Sequence, residues 1–137
     1  MKRKLFLSIL IVFFTILFMS IVGCNNKKND YELQDICRKS SQEYFNNQLV
    51  SKGLGEINWE YENHYNKKLN KCSMLATGIY KNGDMIKKLI NANENKEYGF
   101  YVSIGNKGNG HESGEFLGKV CKSEEEWNSL VKPYKEE

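Results

Sequence analysis

Scarcity sets the first limits on this 137-residue chain. There is a single proline, Pro133, and no low-complexity segment, so no long stalk holds one part of the chain away from another. Its two histidines, His64 and His111, stand far apart, and no two of its four cysteines have C-x-x-C spacing. A zinc site needs clustered ligands to close around one ion, so neither a metal nor a cofactor is expected. An excess of one charge is also missing. The formal +3 comes wholly from Lys2, Arg3 and Lys4, and beyond them 17 basic side chains face 17 acidic ones. A balanced chain lacks the basic field that attracts a phosphate backbone, so nucleic acid is not an expected partner. Internal repeats are absent.

The richest segment is the first 24 residues. Lys2, Arg3 and Lys4 precede an apolar run from Leu5 to Met19, interrupted only by Ser8 and Thr15, and the run ends in Ile21-Val22-Gly23-Cys24. An ordinary export signal ends in small residues and needs no cysteine. Here a glycine directly precedes one, with branched aliphatics before it. The segment resembles the bacterial lipoprotein signal with its lipobox. That resemblance implies cleavage between Gly23 and Cys24, a diacylglyceryl group on the Cys24 thiol, and membrane lipid as a partner through that anchor. The other reading is a retained span from Leu5 to Val22, close to the roughly 20 residues a bilayer requires. Both readings place residues 25–137 on the exported side, because the basic residues hold the N-terminus inside. The expected location is a bacterial envelope: the periplasmic side of an outer membrane, or the outer leaflet where the host has one membrane. Asn25 rather than Asp after the cysteine favours the outer membrane where one exists.

Residues 24–137 suffice for one compact domain and not two. The expected division is a leader over 1–23, a lipidated tether over 24–30 and a single domain over 31–137. Extended, the seven-residue tether Cys24–Asp30 reaches about 25 Å at most, which keeps the domain near the bilayer. Four of the seven phenylalanines leave with the leader, so the domain relies on eight tyrosines, two tryptophans and three phenylalanines. Such aromatics suit half-buried sheet faces.

Reserving Cys24 for lipid leaves Cys37, Cys72 and Cys121, an odd number in an oxidising compartment. One disulfide and a spare thiol is the simplest assignment. Cys37–Cys72 is preferred, with Cys121 spare. It would close a loop worth on the order of 4 kcal/mol in chain entropy. Cys72–Cys121 is the rival pairing.

Hydrophobic spacing predicts a helix from Tyr31 to about Val50, with Leu33, Ile36, Cys37, Tyr44 and Phe45 on one face, Asp30 as N-cap and Gly53 and Gly55 as stops. Ile57, Trp59, Tyr61 and Tyr65 alternate with Asn58, Glu60, Glu62 and His64 as a strand wet on one face. Asn66–Asn70 is a turn, and Lys71–Tyr80 an inner strand with apolar groups on both faces. Asn82-Gly83 predicts a type I′ hairpin into a third strand, 84–91. Tyr98, Phe100, Val102 and Ile104 alternate as a fourth, 105–114 is a glycine-rich loop, and 115–121 is a short fifth. Ser123-x-x-Glu126 is a capping box for a helix carrying Trp127, Leu130, Val131 and Tyr134 on one face, which Pro133 should end. The expected fold is α+β: a helix, an antiparallel meander of four or five strands, and a short helix.

Three constellations invite chemical readings. Gly105-x-x-Gly108-x-Gly110 follows a strand but lacks the Lys-Ser/Thr and helix of a phosphate loop, so it reads as surface loop. Asn91-x-Asn93-x-Asn95 echoes calcium-loop spacing with amides in place of carboxylates, so it reads as a turn. His64 beside Glu62 is a carboxylate–histidine pair of the kind used in acid–base catalysis, although no nucleophile partner is evident and solvated side chains are the simpler account. Trp59, Tyr61 and Tyr65 form an aromatic stripe, most simply core. Left uncovered, Trp59 and Tyr61 together with His64 are the candidate binding face.

Beyond the leader, three stretches resemble small bacterial lipoproteins with no assigned activity. They are Asn63-His-Tyr-Asn-Lys-Lys-Leu-Asn-Lys-Cys72, Asn93-Glu-Asn-Lys-Glu-Tyr-Gly99, and Cys121-x-Ser-x-x-Glu-Trp127 running on to Pro133-Tyr134. The resemblance supports the envelope location and the fold, implies structural roles for Cys72 and Cys121, and implies no reaction. The resulting expectation is a non-catalytic binding, adaptor or inhibitor-like module with an envelope protein as partner. The alternatives are a small envelope hydrolase using His64 and Glu62, and a solute binder with a single pocket near the glycine loop.

Overall fold

A computed structural model describes residues 29–52, 56–105 and 110–136. The leader, Cys24, most of the tether, Gly53, Gly55 and the centre of the glycine loop lie outside the described residues. The elements run α1 (Asp30–Tyr44), a π-helical segment (Phe45–Val50), β1 (Ile57–Asn66), β2 (Lys71–Tyr80), β3 (Met85–Asn91), β4 (Lys96–Ile104), β5 (His111–Phe116), β6 (Lys119–Cys121) and α2 (Glu124–Lys135). The fold is α+β. Its six strands form one antiparallel meander in the order β1-β2-β3-β4-β5-β6, one or two strands more than the sequence led us to expect.

Asn29, not Asp30, caps α1: its side chain accepts from the Glu32 amide at 2.8 Å. Asp30 is the first helical residue and pairs with Lys67. The helix predicted to Val50 loses its regular form at Phe45. The Ser51 amide reaches back to the Asn46 carbonyl at 3.1 Å, the wider bond of a π-helix. Phe45 lies on Tyr61 and Leu49 is buried in the core.

The two helices sit on opposite faces of the sheet, so there are two cores. On the α1 face, Cys37 and Leu49 pack against Cys72, Met74, Ala76 and Ile90. On the α2 face, Trp127 and Val131 pack against Leu75, Leu89, Tyr101, Phe116 and Cys121. Strand β2 lies between them, which explains its apolar groups on both faces. Cys37 and Cys72 are bonded with Cα atoms 5.2 Å apart, both sulfurs buried, and Cys121 is a buried free thiol on the other face.

The turns between β1 and β2 and between β3 and β4 share one chemistry. Each is four residues long and framed by Asn66 and Lys71 or by Asn91 and Lys96. Each opens on a buried asparagine whose side-chain oxygen accepts turn amides: Leu69 onto Asn66, and Asn93 and Glu94 onto Asn91. Each closes on an asparagine in the left-handed region, Asn70 (φ 50°) and Asn95 (φ 52°), which this side chain tolerates better than most. The Asn91-x-Asn93-x-Asn95 stretch is thus a turn.

Five local expectations need correction. The Asn82-Gly83 hairpin is not type I′. Only Gly83 has positive φ, and the Gly83 amide bonds the Tyr80 carbonyl, so Lys81-Asn82-Gly83 is a three-residue loop. The type I′ geometry falls instead at Leu117-Gly118 (φ 48° and 81°), which splits the single strand expected over 115–121 into β5 and β6. Pairing of β3 with β4 shifts register between Leu89 and Ile90, leaving Tyr98 as an extra residue. That bulge breaks the alternation: Tyr98 joins Tyr101 in the core on the α2 face, while Phe100 and Ile104 lie on the other face and are exposed. Finally, α2 continues through Pro133 to Lys135, and the glycine loop ends at His111, where β5 begins.

Candidate functional site

Period-two geometry divides the residues of the candidate binding face. Trp59 and Tyr61 are on the α1 face of β1 and His64 is on the α2 face, so the sheet separates them. Each group is therefore a separate surface.

Trp59 and Tyr61 are half-buried. The Trp59 indole lies over Gly78, where a Cβ would stand 2.9 Å from the ring and 2.8 Å from Ile57 Cγ2. Only glycine leaves room there. The Trp59 Nε1 is buried without a hydrogen-bond partner among the described residues. Tyr61 stacks on Phe45 with ring centroids 4.5 Å apart, and Tyr65 is core, its hydroxyl donating to Asn70 Oδ1. Helix α1 starts beside the β1–β2 turn, through Asp30 on Lys67, and ends near Lys88 and Glu97. It does not bury the other end of that face. There Phe100 and Ile104 are exposed, at 38% and 50%, and Ile86 and Val102 are half-buried.

On the other face His64 stands opposite Ser73 across the β1–β2 ladder. Both polar atoms, His64 Nε2 and Ser73 Oγ, are buried without partners among the described residues. They line a cleft of about 170 Å³ with Glu62, Leu75, Leu89 and Tyr134. Glu62 does not serve His64. It pairs with Lys135 at 2.6 Å and ties the end of α2 to β1. Asn66 reinforces this attachment by donating to the carbonyls of Pro133 (2.8 Å) and Glu136 (2.6 Å). Ser73 and Lys135 were not singled out from the sequence, and Tyr134 was expected only on the apolar face of the C-terminal helix. The signal for Ser73 was the turn itself, because pairing Asn66 with Lys71 sets His64 against Ser73. A serine nucleophile needs its base within hydrogen-bond reach, and that bond is not formed here.

Electrostatics on the α2 face favour neutral groups. Burial first, then the nearby Glu112 and Glu124 carboxylates, raise the Tyr101 phenol well above its usual range. Burial likewise raises the Cys121 thiol, which keeps it protonated and a poor nucleophile. Lys87 is mostly buried and meets Glu124 at 2.6 Å. His111 is exposed at the start of β5. Among the described residues, no group of three or more His, Cys, Asp or Glu side chains is placed to hold a metal ion, and no helix is long and apolar enough to cross a membrane.

No protein-family model matches the chain, and no curated protein or solved structure matches it significantly.

Proposed function

We propose that the chain is a membrane-anchored bacterial envelope lipoprotein whose folded part is a non-catalytic binding module, acting as an adaptor or as an inhibitor of an envelope protein. The lipobox Ile21-Val22-Gly23-Cys24 supports the anchor and the location. The observation that carries the binding role is the apolar sheet surface of Ile86, Phe100, Val102 and Ile104, which the described helices leave without a covering layer. Two experiments test the reading. Metabolic labelling with palmitate should mark the native chain and fail for Cys24→Ser. Crosslinking in the native cells should return one dominant envelope protein, and recovery of lipids and abundant proteins alone would refute the binding role.

The second reading, a small envelope hydrolase using His64, gains Ser73 as a neighbour but finds Glu62 committed to Lys135. A His64→Ala chain that folds and keeps its cellular phenotype would end it.

A further inference from the structure

Among the described residues strand β1 is an unpaired edge ten residues long. The direction of its backbone groups is fixed at both ends. The Tyr65 amide points away from β2, donating to Gln34 Oε1 at 3.0 Å, while Cys72 opposite it turns its carbonyl to Ala92. At the other end Tyr80, opposite Ile57, donates to Asp84 on the β3 side. In an antiparallel ladder the outward direction recurs at every second residue. Ile57, Trp59, Tyr61 and Asn63 therefore direct their amides and carbonyls off the sheet. Among the described residues Gln34 alone answers this row, at the Tyr65 amide. No proline or bulge blunts the edge.

The side chains flanking this row differ by face. Trp59 and Tyr61 present aromatic surface on one side, and on the other Glu60 is exposed, with Glu56 just before the strand, while Glu62 is taken by Lys135. Pairing with a second copy would set two acidic rows together, and like charges facing across strands are destabilising. The same row favours a basic partner.

We infer that β1 accepts an extended segment of another protein as a seventh strand, with apolar residues alternating toward Trp59 and Tyr61 and a basic residue toward Glu60. This rests on the proposed binding role and adds to it a second surface, the strand edge, with its ligand chemistry.

The probe is an alternating lysine–valine peptide matched in length to β1, with a block peptide of the same composition as control, added to the full chain in detergent micelles. Amide hydrogen exchange is followed by NMR. The alternating peptide should slow exchange at Trp59, Tyr61 and Asn63 by about tenfold or more, leaving Tyr65 little changed because Gln34 already holds it. Glu60→Lys should abolish the effect and transfer it to an alternating glutamate–valine peptide. Equal protection by the block peptide, binding without protection of those amides, or no binding would each overturn the inference. The crosslinking experiment reads the binding role separately. A dominant partner mapped away from β1 would keep that role and remove this edge as its site.

Discussion

Replacing both cysteines of the bridge, Cys37→Ala with Cys72→Ala, tests how the α1 core is held. The bridge spans a sequence separation of 35. Closing a loop of that size removes about 4 kcal/mol of chain entropy from the unfolded state at room temperature. Both residues are fully buried against Ser41, Met74 and Ile90, and alanine keeps the Cβ atoms, so the cavity term is small beside the entropic one. Against a total stability of roughly 5–15 kcal/mol for such a domain, the loss is large. Urea unfolding followed by far-ultraviolet circular dichroism should show the midpoint falling and the slope rising, since the uncrosslinked chain unfolds to a more open ensemble. The corresponding drop in Tm is roughly 15 °C. A loss below about 1 kcal/mol with an unchanged slope would refute the argument, because the bridge would then not be restricting the unfolded chain.

Further outcomes follow from the same packing. Asn66→Ala leaves two carbonyls at the end of α2 and the Leu69 amide without their partner, and should cost about 1–3 kcal/mol in urea unfolding. Gly78→Val puts side-chain atoms where the Trp59 ring and Ile57 lie, and should cost about 1–3 kcal/mol with a red shift of tryptophan emission. In a Cys24→Ser chain, Ellman's reagent should find no reactive thiol in the native state and one after unfolding, because Cys121 is buried and held protonated. Alkaline pH should destabilise the fold. Cys121 and Tyr101 have folded pKa values raised above their ordinary 9.0 and 10.0, so the unfolded chain ionises first and stability falls as pH climbs past 9. Cys121→Ser should remove the earlier part of that decline, as read by Tm against pH.

Much of the fold was legible because its signals are local. The N-cap half of the capping box appears as written, with Ser123 accepting from the Glu126 amide at 3.2 Å, while the Glu126 carboxylate accepts from the Lys122 amide at 2.7 Å rather than from that of Ser123. The alternation of β1 gives its two faces directly. The misreadings fall where a distant partner decides. Nothing near Tyr98 announces a bulge; the shift arises from how β3 and β4 match, and it parts Tyr98 from Phe100, Val102 and Ile104 by moving it to the other face of the sheet. Leu117 in a left-handed conformation runs against residue preference, and the adjacent Gly118 was the only cue to that turn. His64 and Glu62 were correctly placed on one face. Helix α2 decided their use, bringing Lys135 from the far end of the chain onto Glu62. Ser73 was hidden because its relation to His64 is one of register, visible only by counting outward from the turn.

The bridge between α1 and β2 also sets how the molecule carries load. A pull on the chain from its N-terminal side enters α1 near Asp30 and reaches Cys37 two turns later. There it passes through a covalent bond into Cys72 on β2, an inner strand. The remainder of α1, the π-helical segment and β1 form a slack loop outside that path. Tension would bear on the ladders flanking β2, and the exposed β1 edge would be spared that strain.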